Sequence, residues 1–200
     1  KGSALILDEV FLGFRMSHQG VQGRYGIRAD MVTYGKTLGG GLPVGVVCGQ
    51  SAWMKRFKEN RPADLCFARG TFNAHPYVMA SMNVFLRHWL SPECKAMVDG
   101  AEALWNERLQ KMNVALQEQG HPIRFAGLPT IWTLMYQLPS RYNWMFQYHL
   151  RRHGVALSWV GTGRFIFNFS YTESEFEQVM DAVLKAATDM KNGGWWTLPE

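Results

Sequence analysis

Three side chains are spaced so that they could act on a ligand. Asp8 closes the apolar run Ala4-Leu5-Ile6-Leu7, and Lys36 stands between Tyr34-Gly35 and the glycine run Gly39-Gly40-Gly41. Thr71 lies in Arg69-Gly70-Thr71-Phe72-Asn73-Ala74-His75-Pro76. A carboxylate at the C-terminal end of a parallel strand sits where open α/β sheets receive ligands. The same residue in a turn serves equally as a cap. Strand side chains alternate, so Asp8 and Val10 point one way and Glu9 the other. A lysine between a strand and a flexible glycine run can reach into a pocket and act as a nucleophile toward a carbonyl; a solvated surface lysine fits the same local sequence. The Gly35-Lys36-Thr37 triplet is not a nucleotide P-loop, because the first glycine of that motif falls on Asp30. Thr71 and the free N–H groups of a helix start suit a phosphate, as they also suit an ordinary N-cap. His149 and His153 have a spacing that binds zinc on a helix, but Leu150-Arg151-Arg152 between them supplies no acidic partner. Basic side chains meeting a helix C-terminal dipole explain them better.

The elements that must hold these residues alternate in type, which indicates an α/β architecture. Strands are expected at 4–8, 30–34, 44–48, 65–68, 130–138 and 164–170, the last from the alternation of Phe165, Phe167 and Phe169 with Ile166, Asn168 and Ser170. Helices are expected at 51–58 and 77–89. A third starts at Ser91-Pro92-Glu93, a serine cap followed by proline and an acidic first turn, and stops at Gly120. Thr172-Glu173-Ser174-Glu175 is a capping box opening a final helix striped by Phe176, Val179, Met180, Val183, Leu184 and Ala187. The fully apolar first strand reads as one covered on both faces in a parallel sheet. Two units are expected: residues 1–92 as part of a parallel α/β layer and 93–192 as a smaller α/β lobe, with 193–200 as a linker.

Composition narrows the classes. Of 200 residues, 47% are hydrophobic and 18% charged, enough apolar material for a core. No run approaches the ~18 apolar residues of a membrane span. Cys48, Cys66 and Cys94 form no CxxC pair, which argues against a disulfide scaffold and fits a reducing cytoplasm. The charge balance, 21 − 16 = +5, suits an anionic cofactor or substrate, and no nucleic-acid motif is present.

Taken together, Leu5-Ile6-Leu7-Asp8-Glu9-Val10-Phe11-Leu12-Gly13-Phe14-Arg15, Gly35-Lys36 with Gly39-Gly40-Gly41-Leu42-Pro43-Val44-Gly45, and Gly70-Thr71-Phe72 resemble class III aminotransferases, in the branch that includes glutamate-1-semialdehyde 2,1-aminomutase. The 28-residue step from Asp8 to Lys36 agrees with that branch. The resemblance runs over the whole chain and corresponds to the C-terminal half of such an enzyme. His75-Pro76 and Pro122-Ile123-Arg124 make it similar to aminotransferase domains of hybrid polyketide/nonribosomal peptide synthetases.

The resemblance implies a pyridoxal-phosphate transferase of fold type I, with part of the large parallel-sheet domain and the small C-terminal α/β domain. It implies that Lys36 holds pyridoxal 5′-phosphate through its amine and shuttles the substrate proton. Asp8 would pair with the protonated pyridine nitrogen and Val10 would pack on the ring. Thr71 would contact the cofactor phosphate of a neighbouring subunit, so a homodimer is implied, and Gly39–Gly41 would let backbone approach without a Cβ. The implied reaction moves an amino group from an amino-acid donor to a keto or aldehyde acceptor; the synthetase placement makes that acceptor a β-keto acyl chain on an acyl carrier protein. Where the aminomutase has a late acidic residue, Ser158-Trp159-Val160-Gly161-Thr162-Gly163-Arg164 has none, and Arg164 could instead meet a substrate carboxylate or form a structural ion pair. A free-standing aminomutase or ω-aminotransferase, and a non-catalytic half serving dimerisation or docking, are the alternatives.

Overall fold

A computed structural model describes residues 2–54, 57–65, 70–157 and 163–196. The chain divides into two compact units, Lys1–Asp99 and Gly100–Glu200. In the first, β1 (Ile6–Asp8), β2 (Met31–Gly35) and β3 (Gly45–Gly49) form a sheet in that order. β1 and β2 are parallel, with Asp8 in register with Thr33. β3 runs antiparallel to β2 from Gly35↔Gly45 to Met31↔Gly49, so this sheet is mixed where a parallel layer was expected. The reason is length: residues 36–44 contain only a 3-10 turn (Lys36–Gly39), and a parallel crossover needs roughly a dozen residues or more.

The first strand is not covered on both faces within this chain. Leu5 is 48% and Ile6 56% exposed, because β2 is the only strand that pairs with β1 among the described residues. Between β1 and β2 lies the short helix α1 (Gly20–Tyr25). The helix expected at 51–58 is shorter: α2 (Ser51–Met54) ends early, and β4 (Phe57–Lys58) pairs with β5 (Arg61–Leu65) across the Glu59-Asn60 turn. Of the strand expected at 65–68, Leu65 lies in β5 and the remainder lies outside the described residues. α3 (Pro76–Trp89) carries Phe85 and Trp89, which pack edge-on against Phe14. The Trp89 indole N–H also donates to the His18 carbonyl at 3.2 Å, tying α3 to the segment after β1.

α4 (Pro92–Glu118) opens as expected, with Ser91 Oγ accepting from the Cys94 N–H at 3.2 Å, and Gly120 follows it at φ 63°. In the second unit β6 (Ile123–Leu128), β7 (Ile131–Tyr136) and β8 (Arg164–Ile166) form an antiparallel sheet, joined by α5 (Met145–Arg152) and α6 (Glu173–Asn192). β8 covers only part of the expected 164–170 run, although Phe167 N–H still donates to the Thr130 carbonyl and both Phe165 and Phe167 are buried. The capping box is complete: Glu175 N–H reaches Thr172 Oγ1 and Thr172 N–H reaches Glu175 Oε2. The core is aromatic, built on Trp105, Phe125, Trp132, Phe146, Phe165, Phe167 and Phe176. Trp195 and Trp196, read from sequence as linker, pack against this core, and Ser140 Oγ donates to the Trp195 carbonyl at 2.7 Å. Indole burial outweighs the chain freedom that Gly193-Gly194 gives the segment.

Candidate active site

The parallel pairing of β1 with β2 brings Asp8 and Lys36 to the same end of the sheet, Asp8 closing one strand and Lys36 following the last residue of the next. Asp8 is exposed, with one oxygen already engaged. Its Oδ1 accepts from the Val10 N–H at 2.9 Å and from the Thr33 hydroxyl at 3.2 Å. These bonds leave Oδ2 for a further donor. Asp8 thus serves the turn through Oδ1, which leaves the ligand reading compatible with Oδ2.

Val10 lies beside Gly35, the last residue of β2. A Cβ at Gly35 would come within 2.9 Å of the Val44 carbonyl oxygen and 3.2 Å of Val10 Cγ1, so only glycine lets strand end and valine approach this closely. Lys36 then takes φ 48°, in the left-handed region that side chains other than glycine rarely adopt. Such a conformation costs about 1 kcal/mol or more, and it persists where the surroundings impose it. The Lys36 side chain is exposed, with Nζ 5.6 Å from the centre of the Phe11 ring.

The glycine run is held from behind by α3. Ser81 Oγ donates to the Gly39 carbonyl at 2.8 Å, and a Cβ at Gly40, which has φ 58°, would meet Ser81 Oγ at 2.7 Å. The close backbone approach at Gly40 is thus to α3, while Gly41 faces open space. Thr71 is exposed in the turn before α3 and does not cap it: His75 occupies the cap position and makes no side-chain capping bond. Thr71 instead lines a cavity of about 690 Å³ with Leu42, Pro43, Gly45, Phe72 and Met79, which joins the loop after Lys36 to the loop before α3.

The other candidates lie elsewhere. Arg164 begins β8 in the second unit, exposed and in register with Thr133. Ser158–Thr162, Lys55, Arg56 and Arg69 lie outside the described residues. His149 and His153 turn toward Asp189 of α6: Asp189 Oδ2 is 2.9 Å from His153 Nε2 and 3.4 Å from His149 Nδ1. The bond from His153 and the nearby positive charges hold the Asp189 carboxyl below its usual range.

One residue of the region escaped the sequence reading. Glu9 is 1% exposed, and its carboxylate accepts from the N–H groups of Val21 and Gln22 at 2.9 and 3.1 Å. It supplies the acceptor that the first turn of α1 lacks and favours that helix end electrostatically. Gly20, at φ 69°, would place a Cβ 2.1 Å from Glu9 Oε2, so glycine is required there. A glycine opening a short helix after a strand-end glutamate was the available signal.

Comparison with known proteins accords with this geometry. The class-III aminotransferase family model matches residues 1–187, and the chain belongs to that family. It is 29% identical over 196 residues to a glutamate-1-semialdehyde 2,1-aminomutase of Nitratidesulfovibrio vulgaris, covering 92% of this chain and 45% of that protein. Over a shorter stretch of 80 residues it is 46% identical to the aminomutase of Aeropyrum pernix, covering 40% of this chain and 18% of that one. An ω-transaminase from Sphaerobacter thermophilus superposes with a TM-score of 0.80 at 25% identity, over 95% of this chain and 45% of the other. A transaminase with pyridoxal phosphate bound superposes at 0.81 with 24% identity, over 96% of this chain and 46% of the other. The fold is accordingly the α/β fold type I of pyridoxal-phosphate transferases, and pyridoxal phosphate is the cofactor of this family. The chain spans about half the length of the curated relatives it matches.

Proposed function

We propose that this chain belongs to a pyridoxal-phosphate-dependent aminotransferase that moves an amino group from an amino-acid donor to a keto or aldehyde acceptor. The observation that carries the reading is the convergence of Asp8, with Oδ2 uncommitted, and the strained Lys36 at one end of a parallel strand pair. The residues suit the cofactor: an amine, a carboxylate acceptor for a pyridinium N–H, an aliphatic side chain beside both, and a threonine in a cavity. When bound, pyridoxal 5′-phosphate supplies an electron sink for a carbanion at the substrate carbon. Lys36 Nζ would hold the cofactor, give way to the donor amine, and carry the proton that leaves the substrate carbon. Asp8 would keep the proton on the pyridine nitrogen, Val10 would fix the ring angle, and Thr71 would contact a cofactor phosphate across a homodimer.

A β-keto acyl chain on an acyl carrier protein is the acceptor we infer, supported by the synthetase-like His75-Pro76 and Pro122-Ile123-Arg124. The second reading is aminomutase chemistry, favoured by the similarity to the aminomutases of Nitratidesulfovibrio and Aeropyrum. The acid-free stretch from Ser158 to Arg164 weighs against it, and turnover of a soluble aminoaldehyde without any carrier protein would favour it. Borohydride reduction of the native full-length protein, followed by peptide mapping, tests the core reading. A pyridoxyl group on Lys36 is expected. A folded protein with no labelled lysine would leave a non-catalytic dimerisation or docking half as the better account.

A further inference from the structure

We propose that Thr33 is a positioning residue for Asp8, its hydroxyl directing the carboxylate so that Oδ2 faces the pyridine nitrogen of pyridoxal phosphate. The inference rests on the aminotransferase reading above and extends it to a residue to which neither the motif nor the comparisons give a role.

Three observations converge on Thr33. Its register with Asp8 in the parallel β1–β2 pair puts the two side chains on one face of the sheet. Its hydroxyl donates to Asp8 Oδ1 at 3.2 Å, the same oxygen that takes the Val10 N–H at 2.9 Å. Two donors on one oxygen, from a neighbouring strand and from the following turn, fix both torsions of the aspartate. One donor alone would leave the carboxylate free to turn about its own axis and exchange its oxygens. Thr33 also accepts the Glu9 N–H on its backbone carbonyl at 2.9 Å. The residue therefore holds the main chain of the strand end with one group and the functional side chain with another. Replacing the hydroxyl by a methyl removes only the second.

This separation makes Thr33→Val an informative change. Valine keeps the branched shape and strand preference, so β2 and its backbone bond to Glu9 remain. The test is equilibrium dialysis of the native full-length apoprotein against pyridoxal 5′-phosphate, with the visible absorbance of the bound cofactor recorded in each variant. Thr33→Val is expected to weaken cofactor binding by about tenfold or more, the range for a lost hydrogen bond to a charged group, and to shift the absorbance toward that of Asp8→Asn. Thr33→Ser, which retains the donor, is expected to restore both. In an Asp8→Asn background the valine substitution should add nothing, because the group it positions is already gone.

Equal loss from Thr33→Val in the presence and absence of the Asp8 carboxylate would overturn the proposal, as would wild-type binding and absorbance in Thr33→Val. Failure of the underlying reading shows itself separately: wild-type protein that yields no pyridoxyl-Lys36 after reduction would overturn the cofactor site and the role of Thr33 with it.

Discussion

The two units place their apolar side chains differently. In the second, Trp105, Phe125, Trp132, Phe146 and Phe176 are all at most 2% exposed and in ring contact or shared packing. In the first, Leu5, Ile6, Val47, Trp53, Phe72 and Tyr77 range from 47% to 78% exposed. The backbone shows the opposite bias. Both described non-glycine residues with positive φ, Lys36 and Ala74, belong to the first unit, and so do all the candidate site residues except Arg164. The difference teaches that side-chain burial and the proposed chemistry draw on separate parts of this sequence. One unit is organised by side-chain burial. The other is organised by where strand ends and tight turns put a few polar groups.

The largest expected effect tests the chemical side of that division. Lys36→Ala should abolish transamination and the reducible cofactor adduct, while the thermal midpoint stays near wild type because the side chain is exposed. A large drop in the midpoint would show that Lys36 also supports the fold. Asp8→Asn comes next: cofactor should still be retained through Lys36 but bound more weakly, and most of the rate should be lost, as read by steady-state turnover, since a neutral amide no longer favours the protonated ring nitrogen. Unchanged turnover would remove Asp8 from the site. On the other side, Trp132→Ala should cost about 3–5 kcal/mol in denaturant unfolding, the usual price of emptying an aromatic core position. Cofactor affinity measured below the unfolding transition should be little changed, and a proportionate loss would break the comparison.

The smallest effect concerns pH. Because the folded-state pKa of Asp189 is depressed, mainly by its bond to His153, its contribution is present above the ordinary carboxylate pKa and lost as pH falls through the folded value. Asp189→Asn should therefore flatten the acid limb of the thermal-stability profile and leave neutral-pH turnover unaltered. An unchanged acid limb would assign the pairing no energetic role.

How far the sequence reveals this molecule depends on whether its signals are local. Ser91-Pro92, the capping box at Thr172 and the stop at Gly120 are each set within a turn or two of chain, and the structure has all three. Asp8 and Lys36 were legible because strand ends are local too, and the structure places both at the same end of the sheet. The antiparallel course of β3 was legible in principle from the short connection 36–44, but alternation alone carries no strand direction. β6 was missed because Ala126-Gly127 breaks its alternation. A Cβ at Gly127 would lie 2.1 Å from the Ile131 carbonyl oxygen, a constraint that exists only once the hairpin has formed. Glu9 was missed for the same kind of reason: its partners, Val21 and Gln22, are more than ten residues away.

That Glu9 contact has a consequence for motion. A six-residue helix standing alone would fray, and its first amides would exchange with solvent almost as fast as those of an unfolded chain. Here the amides of Val21 and Gln22 end on a carboxylate sealed from water. Their exchange therefore requires α1 to part from Glu9, so these two protons report the loosening of the chain beside the strand end that carries Asp8.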